Sequence, residues 1–409
     1  MSSEAVSSRR ERIVTLFRYP IADHEALNNI FPRMLRDLAR AADVHHFSYR
    51  SPGPHPAHEA PGITFHEFPW RVDRSRPTDK WLKTLLWYPL ALRIGWWARK
   101  HRAAFVYVEE SITFLPLLLK WASGRPVVIS AADVFWDVYL GHGFLSRIAR
   151  RFLTWLDRFV YRRLHGLITR TEAMKRYLLS LGVAADCVRV VPEACEPDFF
   201  YPTDRAAARR KMGFADHEVV IVHHGVLHPN KTLDKALAYL KPVFEAHRDV
   251  RLVVAGDGPL RPMLERCAAD LGIASRVSFT GWLPDVRALN TILNAADISL
   301  VMRRGGFSDH FQITANLLHS LACGCAILAV RLDGIAEHVR DGVNGLLFDP
   351  DRAEEFRRQA ERLIADAALR EAFRREAAQT AKDNLDPARI TALWVDALAA
   401  MLPGRKESA

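Results

Sequence analysis

Between Val219 and Phe348 the residues best suited to chemistry are basic side chains set beside glycine turns. Lys231 follows His223-His224-Gly225 by a few positions. Arg303 and Arg304 precede Gly305-Gly306, and Gly256 and Gly258 flank Asp257. Glycines without a Cβ let backbone N–H groups and helix N-termini approach phosphate oxygens. Lys231 and the Arg303-Arg304-Gly305-Gly306 loop can stabilise negative charge on phosphate. Taken alone, such turns are weak evidence for a phosphate ligand. Turns of this kind also occur in proteins that bind nothing, so the surrounding elements must decide. No GxGxxG follows the first strand, which disfavours a dehydrogenase, and no GxxxxGK[ST] indicates a P-loop enzyme. No Asp-x-Asp motif lies near the phosphate loops, so neither a metal nor a separate cofactor is expected.

The turns sit in repeated strand–glycine turn–helix units. Val219–Val222, Leu252–Ala255, Val277–Gly281, Ile298–Met302 and Ala326–Val330 read as buried strands with helical segments between them, which is a Rossmann-like pattern. The first half repeats it. Ile13–Phe17 reads as a strand, 26–42 as a helix with Leu27, Ile30, Met34, Leu35 and Leu38 on one face, and Val44–Phe47 and Ile63–Phe68 as further strands. Phe105–Val108 ends in Glu109-Glu110, and the strand to Ile129 is followed by Asp133. Ligands of parallel sheets lie at the carboxyl ends of strands. Glu109 and Glu110, with Asp23 and His24 after the first strand, are therefore acceptor-side candidates. His223 and His224 at a strand end suit either a ligand contact or a structural role.

A chain of 409 residues exceeds one hydrophobic core and implies two domains of about 200 residues. The expected division is 1–200, 201–380 and a terminal segment 381–409 that returns to the first domain. The five cysteines are neither a disulfide framework nor a zinc pattern. With no export signal read after Met1, a cytoplasmic location is expected, including the inner face of the cell membrane.

The net charge is +10, from 57 Lys and Arg against 47 Asp and Glu. Much of the excess lies in Arg71–Lys100 and 144–163, where Arg and Lys interleave with Trp, Phe and Leu. Such helices suit an anionic membrane surface. They equally suit ordinary solvated helices flanking a sheet. No stretch is long and apolar enough for a span, and no nucleic-acid-binding motif accompanies the charge.

The order of these units resembles the retaining, nucleotide-sugar-dependent glycosyltransferases of group 1, the GT4-like family. The resemblance rests on Gly225 and Lys231, Val254-Ala255-Gly256-Asp257-Gly258-Pro259, Val277–Gly281, Leu321–Gly324, Gly334-Ile335-Ala336-Glu337 and Asp341–Leu347. It implies an α/β chain of GT-B architecture, two Rossmann-like domains facing a cleft. The implied activity moves a sugar from a nucleotide sugar to a glycan or lipid-linked acceptor with retention of configuration. By resemblance, Lys231 and Gly306 meet the donor diphosphate, Phe279 and Thr280 mark the nucleobase, and Glu337 lies on the donor side. Asp133 lies beside the reacting sugar, so Asp133 and Lys231 are the catalytic candidates.

The chain departs from the family pattern at several positions. Val226 stands for an arginine, Ala132 for a histidine, and Ala336 for a proline. Phe311 and His319 occupy the positions of the family's two glutamates. His319 is left as a ribose contact, and Asp309, His310 and Gln312 as candidates for the sugar. Non-catalytic nucleotide-sugar binding is the alternative function. A two-domain epimerase is disfavoured by the turn at Gly256–Pro259.

Overall fold

Short aliphatic runs separated by longer helical segments fold as parallel strands joined by crossover helices, because parallel neighbours need a long return path. The computed structural model describes residues 10–20, 31–51, 60–71, 77–110, 112–134, 136–137, 140 and 143–401. The chain divides into two units, one of residues 1–192 and 388–409 and one of residues 193–387.

The first unit runs β1 (Arg12–Leu16), α1 (Phe31–Ala41), β2 (Asp43–Tyr49), β3 (Ile63–Phe68), α2 (Pro77–Lys100), β4 (Phe105–Val108), α3 (Leu115–Ser123), β5 (Val127–Ser130), α4 (Phe144–Tyr161), β6 (Gly166–Thr169), α5 (Glu172–Ser180) and β7 (Val188–Val190). Its seven strands are parallel in the order β3-β2-β1-β4-β5-β6-β7. The helix expected over 26–42 is seen as α1, and its earlier residues lie outside the described ones.

The second unit runs α6 (Arg205–Met212), β8 (Val219–His224), α7 (Leu233–Ala246), β9 (Val250–Ala255), α8 (Arg261–Asp270), β10 (Val277–Gly281), α9 (Val286–Ala295), β11 (Ile298–Val301), α10 (Ala315–Ala322), β12 (Ala326–Val330), α11 (Asp333–Ala336), β13 (Gly345–Phe348), α12 (Ala353–Ala365) and α13 (Ala367–Asn384). Its six parallel strands lie in the order β10-β9-β8-β11-β12-β13. Val220, Ile221, Leu252, Leu300, Ile327 and Leu328 are fully buried in its core.

The last helix, α14 (Pro387–Ala400), starts at a proline, where the missing N–H costs nothing. It packs in the first unit. Trp394 is buried, and its Nε1 donates to the Tyr107 hydroxyl at 3.1 Å. Gly166 of β6 makes room for Met401, whose Sδ would lie 2.2 Å from a Cβ there.

In both sheets the strand order reverses direction once, between β1 and β4 and between β8 and β11. Crossovers diverge at such a point and leave a crevice outside the carboxyl ends of the strands. In the second unit those ends carry Gly225 and Arg303, and in the first Arg18 and Glu109-Glu110.

One buried carboxylate ties α6 and α13 to the second sheet. Asp297 precedes β11, accepts from the Val220 N–H at 2.9 Å and from Arg209 Nη1 at 2.8 Å, pairs with Arg205, and lies 3.6 Å from Arg370. Arg209 is 4% exposed and also bonds the Glu218 carbonyl at 2.7 Å. Removing the carboxylate leaves that guanidinium buried without its anion. Asp297→Ala is expected to cost about 3–5 kcal/mol, measured as a lower urea midpoint. An unchanged midpoint would show that the carbonyl contacts alone hold Arg209.

Candidate functional site

The glycine turns of the second unit pack backbone on backbone. The Gly225 N–H donates to Ala255 O at 3.0 Å, and the Leu227 N–H donates to Asp257 O at 2.8 Å. Gly256 has φ +150°, and a Cβ there would stand 2.1 Å from the Gly225 oxygen. A Cβ on Gly258 would meet Leu227 N and O at 2.7 Å. These two glycines are therefore required by the neighbouring turn, whatever else approaches them. Gly256 also bridges Gly281 at the end of β10. On that edge strand Phe279 is half-buried, and the exposed Thr280 donates its hydroxyl to Gly281 O at 2.8 Å.

Lys231 ends a single 3₁₀ turn, Pro229–Lys231. Thr232, a β-branched residue, follows at φ 44° and ψ 43°. That left-handed conformation is strained for such a side chain and breaks the turn into α7. The Arg304 N–H donates to Asn230 O at 3.0 Å, tying the Lys231 turn to the loop after β11. Burial and the nearby Arg303 push the Lys231 pKa down to about 7, with Asp309 opposing.

Arg303 is buried, with Nη1 3.4 Å from Asp309 Oδ1 and Nη2 donating to Gln312 Oε1 at 2.7 Å. Asp309 Oδ2 accepts from the Gly306 N–H at 2.9 Å. Asp309, Gln312 and Arg303 thus hold one another and the Gly306 loop. Arg304 is the exposed arginine of the pair, and its Nη2 would lie 3.1 Å from a Cβ on Gly306. Half-exposed His310 faces Asp333 at 3.3 Å. A Cβ on Gly334 would meet Gln312 O at 2.7 Å, which seats α11 against this loop and sets exposed Glu337 at its end.

His319 stacks face to face on Phe200, with ring centroids 3.9 Å apart and 10° between planes. Its Nδ1 is 3.4 Å from His224 Nε2. Burial drives the His319 pKa down to about 3 and holds His224 well below the ordinary value, so both rings are neutral. His223 is buried, and its Nδ1–H donates to Leu300 O at 2.9 Å. Phe311 is buried edge-on to Phe307, with centroids 5.0 Å apart. Where two carboxylates would stand in the family pattern, this chain has a neutral ring stack and a core phenylalanine.

In the first unit, Glu109 accepts from Arg170 Nη2 at 2.6 Å and from the Tyr107 hydroxyl. Glu110 accepts from Arg18 Nε at 3.0 Å, and burial raises its pKa against the opposing pull of that guanidinium. Both acids are nearly buried and end in ion pairs. Asp133 is exposed after β5, and Asp23 and His24 lie outside the described residues. The sequence reading passed over Arg18, Arg170, Phe200 and Tyr107. Arg18 and Arg170 were findable, because both lie immediately past a buried strand.

Residues 218–366 match the model "Glycosyl transferases group 1", and residues 27–194 match the "Glycosyl transferase 4-like domain". Together the matches span more than three quarters of the chain and fall in both units. The chain belongs to the GT-B-fold glycosyltransferases. Among curated relatives of this GT-B chain, D-inositol 3-phosphate glycosyltransferase of Acidothermus cellulolyticus is 34% identical over 193 residues, covering 45% of this chain and 42% of that protein. The 2-deoxystreptamine glucosyltransferase of Streptomyces kanamyceticus is 28% identical over 249 residues, covering 60% and 63%. The alignments thus span 42% and 63% of these relatives' lengths. Anabaena HepE, crystallised with UDP and glucose, shares the fold with a TM-score of 0.71 at 16% identity, over 95% of this chain and 99% of that one.

A polyanion set beside Lys231 favours its charged form and raises a pKa that now stands near 7. Binding of a nucleoside diphosphate is expected to take up protons at pH 8 and to weaken as pH rises above 7. Calorimetry in two buffers of different ionisation heat measures the uptake. Heats independent of buffer, with binding intact, would remove Lys231 from the anion contact.

Proposed function

We propose that this chain transfers a sugar from a nucleoside diphosphate-sugar to an acceptor held at a membrane surface. The observation that supports the donor half is that the Lys231 turn after β8 is tied to the loop after β11, through the Arg304 N–H on Asn230 O, at the strand-order reversal of the second sheet. Cleavage of the donor develops negative charge on the diphosphate. On this reading Lys231 stabilises that charge, with the exposed Arg304 beside the Gly306 loop as the second cation. Arg303 acts through its pairing with Asp309 and Gln312, which fixes the Gly306 loop. On the acceptor side, Asp133 with the Arg18–Glu110 and Arg170–Glu109 pairs marks the carboxyl edge of the first sheet. HepE holds UDP and glucose, so uridine donors head the panel.

The acceptor half rests on α4 and α2. At 3.6 residues per turn, Phe144, Leu145, Ile148, Phe152 and Trp155 fall in an arc of about 100°. They are exposed by 50–79%. The opposite face is inward, where Asp157 accepts from Trp136 Nε1 at 2.6 Å. Arg147, Arg151 and Arg158 are exposed along one border of the apolar arc. On α2, Leu82, Leu85, Leu92 and Trp96 are likewise exposed, near Arg93, Arg99 and Lys100. Water disfavours such faces, and an anionic bilayer surface satisfies both the apolar arc and the arginines. Among the described residues no helix is long and apolar enough to cross a membrane.

A second reading is donor binding without turnover. The buried Phe311 favours it, since a core ring stands where the family pattern has an acid.

Calorimetry with nucleoside diphosphates and their sugars, followed by transfer assays, tests the donor site. Lys231→Ala is expected to weaken donor binding about tenfold or more, the scale of one charge-assisted contact. Tight binding with neither transfer nor donor hydrolysis would favour the second reading. Phe152→Ser with Trp155→Ser is expected to lower partition onto anionic vesicles by at least about tenfold. Unchanged flotation would exclude α4 from the contact.

A further inference from the structure

We propose that the first unit carries a second anion site, a pocket at the amino-terminal edge of its sheet that takes the terminal phosphomonoester of a membrane lipid. The lipid source rests on the membrane reading above, whereas the anion site stands on its own geometry. The pocket has a volume of about 730 Å³, and its wall includes Arg10, Arg12, Lys100 and Arg102 against Glu11 and Asp43. It lies where β1, β2 and β4 begin. It is thus at the opposite end of the strands from Arg18, Glu109 and Glu110.

Its four Arg and Lys side chains outnumber its two acids, Glu11 and Asp43. Asp43 is taken up by Arg12 Nε at 3.0 Å and by His45 at 3.3 Å. Arg12 Nη1 also donates to His101 O at 3.1 Å, so this guanidinium is held in place from two sides. Arg10 Nη1 donates to Ala39 O at 3.3 Å. Among the described residues no carboxylate pairs with Arg102 or Lys100.

The backbone at Arg102 is an independent observation. The residue closes α2 at φ +54°, and the Ala103 N–H behind it returns to Ala98 O at 2.9 Å. This is the left-handed helix-closing position that a Cβ disfavours and glycine normally fills. Gly124, Gly182, Gly213, Gly272 and Gly324 close their helices at φ between 61° and 78°. Among the described residues Phe114 and Thr232 also carry a side chain at positive φ, but Phe114 opens α3 and Thr232 ends a 3₁₀ turn. The side chain at the α2 ending is a guanidinium lining the pocket. Strain retained at one residue is the mark of a position held for a purpose other than folding.

Arginine forks match oxyanions in pairs of parallel hydrogen bonds. A phosphomonoester offers three acceptor oxygens and close to two negative charges, which suits several converging cations better than a carboxylate or a phosphodiester does. Continuity with the apolar face names the lipid as its carrier. The Lys100 ammonium lies 5.2 Å from the centroid of the Trp96 ring, and Trp96 belongs to the exposed side of α2. A headgroup in the pocket leaves its chains beside that face.

The test uses the full chain and phosphatidylcholine vesicles carrying either phosphatidate or phosphatidylglycerol, matched in surface potential. The wild type is expected to bind phosphatidate vesicles about tenfold more tightly, and Arg102→Gly to abolish the preference. Because glycine relieves the backbone, the variant's melting temperature is expected to be equal or higher, and its binding to phosphatidylglycerol vesicles to persist. Equal affinity for the two vesicles, or a preference that survives Arg102→Gly, overturns the proposal. Should the wild type bind neither vesicle, the membrane reading fails. Calorimetry with short-chain phosphatidate in solution then decides the pocket: binding lost in Arg102→Gly supports it, and no binding overturns it. Inorganic phosphate bound as tightly as the short-chain lipid would make free phosphate the ligand and overturn the lipid assignment.

Discussion

The contact between the Gly225 and Gly256 turns governs the geometry of the second unit. Two strand ends, those of β8 and β9, meet through backbone atoms with no room for a methyl group between them. Because the turns touch directly, the chain leaving β8 is steered into the short turn that ends at Lys231. The Arg304 N–H then fastens that turn to the loop after β11. The lysine is thus positioned by main-chain hydrogen bonds rather than by a partner side chain, which leaves its ammonium available to a ligand. A Cβ at Gly256 would separate the turns and displace the lysine without touching any charge.

Electrostatics gives this arrangement a direction. Near Lys231 the groups are Arg303, Asp309, and the imidazoles of His223 and His224. Burial keeps the imidazoles neutral, and Asp309 is engaged by Arg303 and the Gly306 N–H. What remains is two nearby cations and one carboxylate, which is held on the arginine. Burial foremost, with repulsion from Arg303 added, pushes the lysine pKa down to about 7. An anion of two or more charges relieves both costs together. The neutral stack of Phe200, His319 and His224 contributes shape and excludes water, but it supplies no charge of its own.

The parallel strands and their glycine turns were legible in the sequence because strands such as β4, β5, β11 and β12 are buried on both faces and read as apolar runs. The family's glycine turns, Lys231 and the Arg303–Gly306 loop lie close in sequence to those runs, so their placement followed. The pairings were not legible. Whether Asp309 faces a sugar or an arginine depends on side-chain direction within one 3₁₀ turn, and no periodicity encodes that. The stack of His319 on Phe200 joins residues more than a hundred positions apart. Glu109 and Glu110 read as ligand contacts because strand ends usually are. Arg18 and Arg170, which take up those acids, arrive from the ends of two other strands.

The charge excess of the first unit follows from the same reasoning applied to its outer surface. A helix flanking a parallel sheet needs one apolar stripe, and α4 meets that need with its inward face. A second stripe of Phe144, Ile148, Phe152 and Trp155 on the opposite side adds nothing to the core and exposes large rings to water. Folding stability alone would replace those rings with polar residues. Bordered by Arg147, Arg151 and Arg158, the stripe combines apolar surface with positive charge, and that combination is what the proposed membrane contact rests on.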